Sequence, residues 1–129
     1  MIKTTVVGSY PAPDWLQASP SEQAVIDATR VIFKIQEAAG IDVIADGEIY
    51  RYDINHPDTN GMIDYFVRPL ANVRSQPSRA DIAKFHGDRQ MAFRAKPAGV
   101  VDGPIGEGTL NLALDYGRAR ALTKAERKV

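Results

Sequence analysis

The run Ala39-Gly40-Ile41-Asp42-Val43-Ile44-Ala45-Asp46-Gly47-Glu48 constrains this chain most, because it reads as a helix stop, a buried strand and an acidic end in immediate succession. Gly40 suits the left-handed position that closes a helix, having no Cβ to clash there. Ile41, Val43 and Ile44 supply the branched apolar side chains of a strand. In parallel α/β folds the carboxyl ends of the strands are where ligands bind. Asp46 and Glu48 therefore stand where chemistry is expected, against the plainer alternative of a solvated Asp-Gly turn.

The preceding residues give this strand its neighbours. Residues 4–7 are β-branched throughout and stop at Gly8-Ser9, the pattern of a second buried strand opening into a loop that carries Tyr10 and Pro11. Trp15-Leu16 is expected to fold an apolar cover over the sheet. Ser19-Pro20-Ser21-Glu22 has the form of a capping box, with Ser19 as N-cap and Pro20 in the first helical position. From there Val25, Ala28, Ile32, Ile35, Gln36 and Ala39 recur at spacings of three and four, one largely apolar helical face. Strand, helix, strand implies parallel pairing through a right-handed crossover, which brings Gly8-Ser9 and Asp46-Gly47-Glu48 out on the same side. A small-residue loop offers backbone N–H groups to a carboxylate, and a nearby glutamate attracts an ammonium. Those are the two charged ends of an amino acid.

Beyond Glu48 the periodicity lapses into turn chemistry through Tyr50, Arg51, Tyr52, Asp53, Asn55, His56, Pro57, Asp58 and Asn60. A short helix is predicted over 61–70 with Met62, Tyr65 and Phe66 facing inward, a polar linker over 72–78, a second short helix over 79–86, and an irregular or edge strand over 91–97. Residues 99–101 have the composition of a third buried strand. Thr109 is then placed to cap a helix whose apolar side includes Leu110, Leu112, Ala113, Tyr116, Ala119 and Leu122. The glycine-rich Gly103-Pro104-Ile105-Gly106-Glu107-Gly108 lacks the lysine and hydroxyl residue of a phosphate loop. Asp46, Glu48, Asp53, His56 and Asp58 follow no recognised metal-ligand spacing, and His86 reads as a surface residue.

Sixteen basic residues balance sixteen acidic ones, so no net field draws this chain to nucleic acid or to an anionic membrane. No apolar run approaches the roughly 18 residues of a membrane span. The chain has no cysteine, which removes disulfides, cysteine nucleophiles and thiolate metal ligands from its 129 residues and fits a cytoplasmic setting.

Two ordered motifs carry a resemblance. Thr4-Thr5-Val6-Val7-Gly8-Ser9-Tyr10-Pro11 and Gln36-Glu37-Ala38-Ala39-Gly40-Ile41-Asp42-Val43-Ile44-Ala45-Asp46-Gly47-Glu48 resemble the opening of the catalytic barrel of cobalamin-independent methionine synthases. Gly61-Met62-Ile63-Asp64-Tyr65-Phe66 and Arg94-Ala95-Lys96-Pro97-Ala98-Gly99-Val100-Val101-Asp102-Gly103-Pro104-Ile105 are similar to segments that come later in the family, in the same order. The likeness is closer to the stand-alone barrel relatives than to the two-barrel synthases.

The resemblance implies an α/β fold, an incomplete TIM (β/α)8-type barrel: its N-terminal portion, with about three parallel strands at 4–7, 41–45 and 99–101 and a long loop insertion at about 49–98. A complete barrel needs about 200 residues or more, so residues 1–129 are expected to be part of one. It implies that Val7, Gly8, Ser9 and Glu48 hold homocysteine or methionine and that Arg94 and Ala95 touch the folate. The family reaction passes a methyl group from methyltetrahydrofolate to the homocysteine sulfur, with zinc on the sulfur. The family's zinc ligands, His, Cys, Glu and Cys, belong to later strands. No metal ligand, cofactor or catalytic residue is therefore assigned to this chain, and a fragment inactive by itself is expected. The alternatives are a non-catalytic module that completes a barrel with a complementary chain or a second copy, and a related barrel acting on another thiol.

Overall fold

The computed structural model describes residues 2–53, 61–87 and 96–124, together with the backbone of 127–128. They divide into two compact units, Met1–Pro57 with Asn111–Val129, and Asp58–Leu110.

The first unit contains the strand, helix and strand. Its long helix runs over Glu22–Ala38 (α2), after a short helix Asp14–Ala18 (α1). The N-cap of α2 is Ser21, two residues later than the capping box predicts: its hydroxyl accepts from the Ala24 N–H at 3.1 Å. Ser19 is already committed to closing α1, donating its N–H to the Trp15 carbonyl at 3.1 Å. Helix α2 ends where expected, with Gly40 at φ 74°. Its inward face splits between two clusters. Leu16, Ala28, Ile32 and Ile49 form one, and Phe33, Ile44 and Ala119 the other. Burying a side chain of this size contributes about 1.5–3 kcal/mol each, which fixes the helix against the next element of the chain.

That element is the strand Ile44–Ala45 (β1), with both residues buried. It pairs in parallel with a second two-residue strand, Arg127–Lys128, which takes the label β4 at the end of the chain. Residues 4–7 do not form the continuous buried strand predicted. They contribute one parallel bridge, Thr5 to Val43, and Val7 is 90% exposed. Side chains fasten this edge: the Thr4 N–H and hydroxyl both donate to Asp42 at 2.8 Å. The helix Leu112–Arg120 (α5) is capped by Asn111 and not by Thr109, since the Asn111 amide oxygen accepts from the Leu114 N–H at 3.0 Å. It turns Ala119 into the core and leaves Leu112, Leu114 and Tyr116 exposed.

The second unit departs further from expectation. Between α2 and α5 lie the helix Gly61–Val67 (α3), the strand Ala71–Arg74 (β2), the helix Arg79–Gly87 (α4) and the strand Val100–Gly106 (β3). Strand β3 is not a third parallel strand: it pairs antiparallel with β2, Arg74 facing Val100 and Val73 facing Val101. The β-branched run Val100-Val101 suits either sense, whereas Pro104 within β3 removes a ladder N–H and belongs on an edge. Its partner reads as a polar linker because Asn72 sits at a register irregularity with φ 59°, donating its side-chain amide to the Pro104 carbonyl at 2.6 Å. Arg74 ties the pair to α4, bonding Asp102 and Asp81 at 2.9 Å each. In α3, Met62 and Phe66 are exposed and Asp64 is buried, so the inward face is not the one predicted. A seven-residue helix buries only a narrow stripe, and its rotation is set by the neighbouring elements more than by its own apolar content.

Candidate functional site

The acidic end of β1 is built by a buried amide. Gln36, on α2 and 1% exposed, donates from Nε2 to the Ala45 carbonyl at 2.6 Å and accepts the Ala45 N–H on Oε1 at 2.9 Å. A helix side chain thus occupies both backbone groups of the residue before Asp46. The chain then turns through two left-handed residues, Gly47 at φ 71° and Glu48 at φ 58°. A Cβ on Gly47 would lie 2.9 Å from Ile32 Cδ1 and 3.1 Å from Tyr10 Cβ, so only glycine fits. The Gly47 carbonyl accepts the Tyr10 N–H at 2.9 Å, drawing the loop after residues 4–7 onto the turn.

Ser9 and Glu48 meet there. The Ser9 hydroxyl donates to Glu48 Oε2, across 39 residues of sequence. Arg51 Nη1 reaches the same oxygen at 2.7 Å, from the 3-10 turn Ile49–Arg51. The Glu48 and Arg51 side chains are 25% and 17% exposed, so the pair is largely shielded from bulk water. Among the described residues both of these bonds go to Oε2, and none is found to Glu48 Oε1. Gly8, at φ 106° with open space around it, places its backbone beside Ser9. Val7 lies on the exposed lead into this loop.

Asp46 lies beneath the turn, 2% exposed. Its Oδ1 accepts the Glu48 N–H at 2.9 Å, while Oδ2 is buried with no hydrogen-bond partner among the described residues. Burial raises the Asp46 pKa and the Glu48 charge adds to the shift, against the Glu48 N–H and Arg51, which oppose it. Tyr50 is likewise raised by burial and drawn back by Arg51.

The sequence pattern singles out Gly8, Ser9 and Glu48, which the fold assembles, but presents Arg51 only as loop chemistry. The signal for Arg51 is its spacing: a cation three residues after a glutamate meets it whenever the intervening chain makes a helical turn. Arg94 and Ala95, expected at a folate, lie outside the described residues, as do His56 and Asp58. A zinc centre of the family's kind does not fit the side chains of this chain. It has no cysteine, and among the described residues no three His, Asp or Glu side chains converge. No described helix is long and apolar enough to cross a membrane.

Comparison with known proteins points the same way. No family model matches the chain. Among solved structures, a B12-independent methionine synthase from Shewanella sp. W3-18-1, in complex with selenomethionine, shares the fold with a TM-score of 0.61 at 21% identity, over 96% of this chain and 36% of that one. The class this defines is a mixed α/β chain that shares the fold of part of that enzyme. Over 86 aligned residues the chain is 36% identical to the methionine synthase of Saccharolobus solfataricus, covering 57% of this chain and 24% of that protein. It is 30% identical to that of Sulfurisphaera tokodaii over 57% and 23%. The match spans about a quarter of the length of these curated relatives. Together the likenesses support the family suggested by the two motifs.

Proposed function

We propose that this chain supplies the amino-acid-binding part of a methionine-synthase-type site, within the N-terminal portion of a TIM-type barrel. The observation that carries the proposal is the convergence of Ser9 and Arg51 on one oxygen of Glu48. In this reading Glu48 Oε1 accepts the ammonium of homocysteine or methionine, and the Gly8 and Ser9 backbone N–H groups meet its carboxylate. The side chain of the amino acid is then directed away from the charged pair.

The reaction served is transfer of the methyl group from N5 of methyltetrahydrofolate to the homocysteine sulfur. The sulfur–carbon bond forms as the nitrogen–carbon bond breaks, and the thiol proton ends on the departing N5. The names of the curated relatives support methionine as the product, and Arg94-Ala95 are the residues proposed to touch the folate. With no cysteine to complete a zinc site of the family's kind, the chain is expected to bind the amino acid without turning it over.

Calorimetric titration of methionine into the chain tests the proposal. Glu48→Gln keeps the size of the side chain and removes its charge. A hydrogen bond to a charged partner contributes on the order of 1.5–3 kcal/mol, so affinity should fall roughly tenfold to a hundredfold. Equal affinity of the two proteins, with only thermal stability changed, would assign Glu48 to holding the loop and not to holding the ligand.

A further inference from the structure

We infer that Asp46 is the positioning residue of this site: its buried carboxylate holds Glu48 in the left-handed backbone conformation that turns the glutamate towards Ser9. The inference rests on the reading that Glu48 receives an amino acid's ammonium, and it adds the residue that makes such reception geometrically possible.

A glutamate at φ 58° is in a region that side chains with a Cβ rarely occupy, and a residue there is held by its surroundings. Three contacts hold it. Ala45 is fixed by Gln36, Gly47 is fixed by Tyr10 and the close approach of Ile32, and the Glu48 N–H is fixed by Asp46 Oδ1 at 2.9 Å. The last acts on the Glu48 backbone itself, as does the Arg51 N–H, which donates to the Glu48 carbonyl at 3.0 Å; of the two, only Asp46 holds the Glu48 N–H. Were this bond merely a turn closure, a serine or asparagine would serve without placing a second carboxylate beside Glu48, at 2% exposure and with Oδ2 unpartnered among the described residues. A carboxylate kept at such a cost is explained by what it does for its neighbour. It fixes the Glu48 backbone, from which the side chain reaches Ser9, and sets a second carboxylate beside it. Asp46 itself, being buried, touches no ligand.

The test uses the whole chain, isotopically labelled, and two probes, methionine and its des-amino counterpart 4-(methylthio)butanoate. In the unmodified protein the Glu48 amide should exchange with solvent at least about tenfold more slowly than an unstructured amide. Exchange at the unstructured rate overturns the inference, even if no variant folds. Asp46→Ala should abolish the nuclear Overhauser contact between the Ser9 β-protons and the Glu48 γ-protons while leaving the Ile32 and Phe33 core signals in place. Asp46→Asn, which retains an oxygen acceptor for the Glu48 N–H, should keep that contact. Persistence of the contact in Asp46→Ala overturns the inference. Methionine affinity in Asp46→Ala should drop by about tenfold or more, with des-amino affinity changed less than about twofold, because only the ammonium is misplaced. Equal losses for the two probes would mark a purely structural role and count against the inference. A lost contact with unchanged methionine affinity supports the positioning of Glu48 and overturns instead the reading that Glu48 holds the ammonium.

Discussion

Replacing Gln36 by Leu tests how the helix sets the acidic turn. Leucine is close to glutamine in volume and fits an α-helix, so the packing of α2 through Phe33 against Ile44 is largely retained. The Ala45 N–H and C=O, now bonded to the Gln36 amide at 2.9 and 2.6 Å, lose their partner in a place where Ala45 is only 9% exposed. An unsatisfied buried backbone group costs about 1–3 kcal/mol. Two of them, less what the added apolar side chain returns, give a net loss of about 2–4 kcal/mol. Against a domain stability of about 5–15 kcal/mol this is a large fraction, readable as a lower urea midpoint by circular dichroism with the slope unchanged. Since Asp46 comes directly after Ala45, methionine affinity should weaken in the same variant. A stability loss below about 0.5 kcal/mol would mean that water or the strand partner satisfies Ala45 equally well, and would remove Gln36 from the account of how the turn is held.

Two further outcomes are expected from the backbone and the charges. Gly47→Ala should destabilise the first unit more than Gly40→Ala, although φ is alike at 71° and 74°, because only at Gly47 does the new methyl meet Ile32 within 2.9 Å; equal midpoints in urea would contradict the packing argument. In the second unit, hydrogen bonds from the Ser78 hydroxyl and N–H, with Arg74 after them, lower the Asp81 pKa from 3.8 to about 2. A depressed carboxylate contributes its stability above the unfolded value and loses it as pH falls through the folded one. The stability gap between the unmodified chain and Asp81→Asn should therefore be full above about pH 4 and close towards pH 2; a gap constant across that window in acid titrations would rule out the linkage.

Local chemistry made some elements legible, and their partners escaped. Gly40 could be read because left-handed backbone leaves glycine few rivals, and Ile44-Ala45 because a branched apolar run beside a helix stop has one economical fate. Val100-Val101 was equally apolar, yet nothing in two β-branched residues distinguishes a parallel neighbour from an antiparallel one. That choice lay with Asn72, whose left-handed backbone and bond to Pro104 let a polar-looking segment act as a strand. The two-residue error at the start of α2 has a similar origin. Ser19 and Ser21 are both good caps, and the competition is decided by α1, which uses the Ser19 N–H to end itself.

The same distinction applies within the site. Ser9 and Glu48 could be brought together from sequence because a right-handed crossover forces the two loops to one side of the sheet, whatever the loops contain. What topology does not specify is direction: a loop glutamate on the correct side can still point into solvent. Direction here comes from side chains that bind backbone, Gln36 on Ala45 and Asp46 on Glu48, and such bonds have no periodicity to betray them. Gln36 falls on the largely apolar face of α2 by spacing alone. A buried amide at that position is the means by which a helix fixes the register of the strand end, and the aspartate after Ala45 passes that constraint on to Glu48.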